Sequence, residues 1–438
     1  MKKILLIILI LIVGCSKPIE KEETIYISDS MLLSEANEVV NNLIDNDKDV
    51  SKKLSDSFKE EIPANTLLKI YSDYVDGLTY IKNDESYIVN DVCVYNYVDY
   101  DYKTVKVYMC FDKELKVESL IINDLRKLPE LKDNDFFKEE AVLVGNLPYL
   151  NGILTLPKNV KKPPVVVMVS GSGPNDLNST IYENKPFEDL AYGLAMQGIA
   201  SIRFDKRTYA FPESMNNITI EEEYFYDVSS AIHMLENYDV DPYKIYYLGH
   251  SFGGMISFSI MHQHPELKGA ILLAGSPRKL EEIIYDQAKN TMIDSGMSEA
   301  MINENLKAYE DAIDLINNLN EESEDTKIFE IDSKYWLSLN NNSFENFKDI
   351  NRKFLILQGE KDFQIFMDKD FEMFKEEYKD NKLVTLKSYE NLNHLFMESI
   401  NGTIDEYTIK SNVSSEVIDD IVNWINGKNI LKEKNKNE

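Results

Sequence analysis

One short segment constrains this chain more than any other: Gly249-His250-Ser251-Phe252-Gly253-Gly254. It follows the apolar strand Ile245–Gly249 and opens a helical run from Phe252 to His264. A strand that turns this sharply into a helix needs flanking positions without a Cβ, which glycine alone supplies. The turn lifts Ser251 to the carboxyl edge of a sheet, at the first turn of a helix. Glycine is scarce, 17 in 438 residues. Gly171, Gly173, Gly249, Gly253, Gly254, Gly269 and Gly275 all lie around the strands that would build this site. A plain strand-to-helix turn would need no such concentration.

The sheet is legible from Glu139 onward. A leading hairpin is expected over Ala141–Asn146 and Tyr149–Leu156. Strands follow at Pro164–Ser170, Ile199–Asp205, Ile245–Gly249, Gly269–Gly275, Phe354–Glu360 and Leu383–Tyr389. Pro164–Ser170 is a continuous apolar run, as expected for a strand covered on both faces. Helical stretches at Lys185–Gln197, Ile220–Asn237, Phe252–His264, Asp368–Lys379 and Ser414–Trp424 alternate with them. The pattern predicts an α/β domain over 139–427 with a doubly wound, mostly parallel eight-stranded sheet. Residues 278–347 interrupt it as an acidic insertion. There Ile302, Leu306, Tyr309, Ile313 and Ile316 make an apolar helical stripe. Such an insertion at this edge reads as a lid, or as a plain cover over the sheet end.

Ahead of it, 32–125 reads as a small α+β domain. Leu33, Ala36, Val39, Val40 and Leu43 recur at helical spacing, and a second helix is expected near Ala64–Val75. Three β-rich runs follow, Ser86–Val98, Thr104–Phe111 and Leu115–Ile122. Nothing in this part groups a nucleophile with a base. The polar stretch 126–138 reads as a linker, and 428–438 as a polar tail. The net charge of −29 repels phosphate backbones, so nucleic acid is excluded as a partner.

The first fifteen residues carry a separate message. Lys2 and Lys3 precede the apolar run Ile4–Val13, which is too short to span a bilayer and has the size of a signal-peptide core. It ends Gly14-Cys15, which resembles a bacterial lipobox. The expectation is a signal peptide over 1–14, cleavage before Cys15, lipid attachment to its thiol, and a tether over 15–31. That would make the protein a membrane-anchored lipoprotein of the cell envelope, facing outside the cytoplasm.

A serine nucleophile needs a base, and the base needs an orienting acid. In sheets that present a serine this way, the chain order is Ser, acid, His. Of the five histidines, only His394 lies after the last strand. The acid should leave the tip of the preceding strand, in Gly359-Glu360-Lys361-Asp362; Asp362 is the choice and Glu360 the alternative. The oxyanion would be held by the backbone N–H groups of Ser172, in Ser170-Gly171-Ser172-Gly173-Pro174-Asn175-Asp176, and of Phe252. The strand-end cluster Asp205-Lys206-Arg207-Thr208 reads as ion pairs that brace this loop against Asp176. No metal and no cofactor is called for.

Taken together, the elbow, 171–176, 204–208, 274–278 and 358–364 make residues 139–427 resemble an α/β-hydrolase of the branch near dienelactone hydrolases and serine-aminopeptidase-like esterases. The leading domain is similar to a small α+β module found ahead of such hydrolases in bacterial lipoproteins. The resemblance implies a serine hydrolase acting on a small acyl substrate, with carboxylic esters first. A peptidase, thioesterase or acyltransferase would use the same residues, and a non-catalytic envelope-binding lipoprotein is the contrasting class. The family usually has His where this chain has Ser170, which puts the rigidity of the oxyanion loop in question.

Cys93 and Cys110 fall in successive β-runs. A two-residue turn at Asp101-Tyr102 would oppose them directly at a non-hydrogen-bonded pair, about 4.5 Å between Cα atoms. That is close enough for a disulfide, with two buried free thiols as the alternative.

Overall fold

The structure is a computed structural model that describes residues 27–90, 92–100, 104–125, 130–145, 149–212, 218–323, 325–349 and 351–431. The chain divides into two compact units between Lys127 and Leu128. Among the described residues, no helix is long and apolar enough to cross a membrane. The lipobox Cys15 and the turn Asp101-Tyr102 lie outside the described residues.

In the first unit α1 (Asp29–Ile44) starts where the Ser28 hydroxyl accepts from the Met31 N–H. Its buried residues Leu32, Ala36, Val39, Val40 and Leu43 form one face by their three- and four-residue spacing. The last residues expected of the tether, 29–31, are therefore the first turn of α1. Helices α2 (Asp56–Glu61) and α3 (Ala64–Tyr74) follow. An antiparallel sheet comes next, with strands β1 (Tyr80–Asn90), β2 (Cys93–Tyr100), β3 (Thr104–Phe111) and β4 (Val117–Leu125) in sequential order. Val94, Val98, Val105, Val107 and Met109 join the α1 face in one core. Full burial of such a side chain is worth about 1.5–3 kcal/mol. The single run expected at Ser86–Val98 is two strands. The two strands part where the sequence reads Asn90-Asp91, a turn-forming pair flanked on both sides by β-forming residues.

The register pairs Cys93 with Cys110. The Phe111 N–H donates to the Val92 carbonyl, which makes the next pair inward a non-hydrogen-bonded one. The two cysteines form a disulfide there, with Cα atoms 4.1 Å apart.

The second unit opens with antiparallel strands β5 (Phe137–Val144) and β6 (Leu150–Pro157). The expected linker is partly folded into this unit. The Lys132 N–H donates to Glu139, the Asn134 N–H to the Phe137 carbonyl, and the Lys158 N–H to the Phe136 carbonyl. From there strands and helices alternate: β7 (Val165–Val169), α4 (Pro186–Met196), β8 (Ala200–Phe204), α5 (Arg207–Ala210), α6 (Tyr226–Met234), β9 (Ile245–His250), α7 (Phe252–Met255), α8 (Ser257–Gln263) and β10 (Gly269–Leu273). The insertion carries α9 (Leu280–Asp294), α10 (Glu299–Asn317), a short ladder of β11 (Lys327–Ile328) and β12 (Ile331–Asp332), α11 (Ser333–Asn341) and α12 (Phe344–Phe347). The main sheet resumes with β13 (Lys353–Gly359), α13 (Glu372–Tyr378), β14 (Val384–Tyr389) and α14 (Ser415–Ile425).

The eight-stranded order is β14-β13-β10-β9-β7-β8-β6-β5. The pairs from β8 through β7, β9, β10 and β13 to β14 are parallel; β6 pairs antiparallel with β8. This is the α/β-hydrolase fold, and its central strands are buried along their whole length. Ile430 packs into the core beside α14, so the expected polar tail begins as part of the unit. The helix expected over Ile220–Asn237 opens as a π-turn, Glu221–Phe225, that leads into α6.

Candidate active site

The elbow has the conformation its glycines anticipate. Ser251 sits at φ 55° and ψ −118°, which a non-glycine residue adopts only under strain held by its surroundings. A Cβ on Gly249 would stand 2.2 Å from the Gly253 carbonyl oxygen, and one on Gly253 2.4 Å from that of Val169. Neither position can carry a side chain. The Ser251 N–H donates to the Leu273 carbonyl at 2.8 Å, which ties the elbow to the next strand. The side chain is half-buried, and its hydroxyl makes no hydrogen bond among the described residues.

Asp362 and His394 meet. Nδ1 of His394 lies 2.7 Å from Oδ2 of Asp362, with both side chains buried. The carboxylate only accepts, so Nδ1 carries the proton and Nε2 is left as an acceptor. Asp362 is saturated: Gln358 Nε2 donates at 2.9 Å, the Gln364 N–H at 2.8 Å and the Ile365 N–H at 3.0 Å. Glu360, the alternative acid, is exposed and accepts from the Ser388 hydroxyl at 2.6 Å. The two loops are sewn together by the Glu360 N–H to the Tyr389 carbonyl and the Lys361 N–H to the Leu392 carbonyl.

His394 is also tied to the elbow. Nε2 of His250 is 2.8 Å from the His394 carbonyl oxygen, and the two rings are 4.7 Å apart. Burial, then the neighbouring His394, push His250 down to about 3, so it stays neutral and donates. Nothing in the sequence pattern of the elbow marks His250 for this contact. The Ser251 hydroxyl and His394 do not form a hydrogen bond in this structure; the site brings the acid and the base together and leaves the nucleophile unengaged. Such bonds are often open before substrate arrives.

The oxyanion loop lies beside Ser251, where a Cβ on Gly171 would stand 3.5 Å from the serine Oγ. No described group accepts from the N–H of Ser172 or of Phe252. The bracing of this loop differs from the expected one. Asp176 accepts from the N–H groups of Asn178 and Thr180 and from the Thr180 hydroxyl, and so closes its own turn. Lys206 instead pairs with Glu223 at 2.8 Å, Arg207 pairs with Asp227 at 2.6 Å, and Asp205 accepts from the Leu177 N–H. Glu223 and Asp227 lie on the π-turn and α6, where no sequence pattern marks them as partners. Burial pulls the Lys206 ammonium below its ordinary value while Glu223 opposes the shift.

The insertion is fixed at the same edge. Arg278 forks onto Asp370 with Nε at 2.9 Å and Nη2 at 3.0 Å, and reaches Asp286 of α9 at 2.6 Å. Asp370 is wholly buried and also accepts from the Ser276 hydroxyl and the Phe366 N–H. This hub joins the loop after β10, the first helix of the insertion and the turn after β13.

A family model described as serine aminopeptidase, S33, matches residues 183–329, a span that contains Ser251 but neither Asp362 nor His394. Esterase EstD of Thermotoga maritima is 29% identical over 384 residues, 85% of this chain and 89% of that one. Among solved structures, the chain is similar to a puromycin-hydrolyzing peptidase of Mycobacterium tuberculosis, with 14% identity, 80% of this chain and 49% of that one covered, and a TM-score of 0.43. It is also similar to Est1E of Butyrivibrio proteoclasticus bound to ferulic acid, with 16% identity, 68% and 100% covered, and a TM-score of 0.40.

Proposed function

We propose that this chain, which has the α/β-hydrolase fold, cleaves small carboxylic esters through an acyl-enzyme, with Ser251, His394 and Asp362 as its working residues. The observation that carries this reading is the buried Asp362–His394 pair, which leaves Nε2 free at the sheet edge that also presents Ser251. Oγ of Ser251 attacks the acyl carbon while Nε2 of His394 takes its proton. Asp362 holds the ring through Nδ1 and stabilises the imidazolium. The carbonyl oxygen, now an oxyanion, accepts from the N–H groups of Ser172 and Phe252. As the C–O bond to the alkoxide breaks, His394 returns the proton and an alcohol leaves. Water then attacks the acyl-enzyme with His394 as base, and the carboxylic acid and free Ser251 are released.

Similarity to an esterase across most of both chains supports esters ahead of amides or thioesters. The basic pair, the apolar run and Gly14-Cys15 support a location at the cell envelope, anchored through a lipid on Cys15. The test is labelling by a fluorophosphonate, followed by profiling with p-nitrophenyl esters, thioesters and aminoacyl amides. The proposal expects Ser251-dependent labelling and fastest turnover on esters. Faster turnover of aminoacyl amides would replace the ester reading with a peptidase. Unchanged processing of Cys15→Ser to a soluble secreted form would reject the anchor.

A further inference from the structure

The Gly171–Ser172 peptide is gripped by its carbonyl. That oxygen accepts from the Tyr224 hydroxyl at 2.7 Å, from Nζ of Lys206 at 3.2 Å and from Nδ2 of Asn175 at 3.2 Å. Three donors on an atom with two lone pairs leave it little freedom to rotate. The peptide is planar and trans, so the Ser172 N–H points the opposite way from the gripped carbonyl. It has no acceptor among the described residues, and its peptide lies beside the Ser251 hydroxyl.

The grip comes from the interior. Lys206 is 4% exposed and Tyr224 3% exposed. The ammonium also donates to the Gly173 carbonyl at 2.9 Å, pairs with Glu223 and sits 4.2 Å from the centre of the Tyr224 ring. Glu223 in turn accepts from the Thr208 hydroxyl at 3.2 Å and from the Tyr335 hydroxyl of α11 at 2.5 Å. Burying an ammonium is costly, and here one carboxylate, two carbonyls and a ring face offset that cost.

We propose that Lys206 is a positioning residue for the oxyanion hole, holding and polarising the Gly171–Ser172 peptide so that its N–H stays aimed at the developing oxyanion. The proposal rests on the serine-hydrolase reading above. A positive charge on the carbonyl oxygen draws electron density through the amide and makes the N–H a stronger donor, as coupled hydrogen bonds do in a low-dielectric interior. Lys206 never touches the substrate; it acts through the peptide.

The test is the double variant Lys206→Met/Glu223→Gln, which removes both charges and leaves no lone buried ion. Steady-state kinetics on the best ester are compared with inhibition by its trifluoromethyl ketone analogue, whose hemiketal oxyanion needs the same N–H groups. We expect kcat to fall about 10- to 100-fold, short of the 10²- to 10³-fold loss of a direct donor. KM should move less than about threefold, and the ketone Ki should rise by the factor that kcat/KM loses. A merely structural role would not tie those two factors together. Should the double variant fail to fold by circular dichroism, Tyr224→Phe removes one donor to the same oxygen, with the same pattern expected at about 3- to 10-fold. A folded variant with kcat/KM and Ki both unchanged would overturn the inference alone. A wild-type protein with no Ser251-dependent turnover would overturn the ester reading, and the inference with it.

Discussion

Ser251 stands between two buried acid–base pairs at one sheet edge. On the side of β13 and β14, Asp362 meets His394; on the side of β8, Glu223 meets Lys206. Both acids accept from several donors, Asp362 from four and Glu223 from three. The bases differ. Lys206 gives its protons to Glu223 and to two loop carbonyls, and nothing is left over. His394 gives one proton to Asp362 and keeps Nε2 as a free acceptor. A buried pair with every atom used fixes a shape; a pair with one atom unused can move a proton. Neither burial nor charge separates the two, and the count of used atoms does.

Breaking each pair should therefore fail in a different currency. Asp362→Asn keeps the volume but loses the acceptor that fixes the His394 tautomer; kcat should fall about 10³- to 10⁴-fold, with the urea midpoint little moved. Glu223→Ala should fail first in stability, costing about 3–5 kcal/mol in urea unfolding because Lys206 stays buried without its partner, with a kcat loss no larger than that of the double variant. An Asp362→Asn protein that unfolds early, or a Glu223→Ala protein as stable as wild type, would break the comparison. Cys93→Ser/Cys110→Ser removes a covalent pair from the other unit. Closing a loop across 17 residues is worth about 3 kcal/mol, so that unit should lose stability while kcat holds. Glu360→Gln is the smallest: an exposed carboxylate bonded to Ser388 should change kcat/KM less than about twofold. A large loss there would move the acid role to Glu360.

Much of the site was written locally. The glycines around Ser251 announce a turn that only they fit, and chain order with few histidines singles out His394. Asp362 and Glu360 are separated only by which carboxylate the loop turns inward, which the structure decides through Gln358 and two backbone N–H groups. The partner of Lys206 was not legible. Asp176 is nearby in composition but closes its own turn, and Glu223 is one acid among three at the head of a helix. Which of them meets Lys206 depends on a π-turn that no hydrophobic period reveals. The fold of the larger unit was legible because buried parallel strands are continuous apolar runs, whereas in the smaller sheet the only mark of the break between β1 and β2 is the short polar pair Asn90-Asp91 inside a long β-rich stretch.

A serine hydrolase that works through Ser251 should carry one phosphonyl adduct after fluorophosphonate treatment, read by intact mass and peptide mapping. The adduct should sit on the peptide that contains Ser251, be absent in Ser251→Ala and form far more slowly in His394→Ala. An adduct on another residue, or full labelling of Ser251→Ala, would rule Ser251 out as the nucleophile.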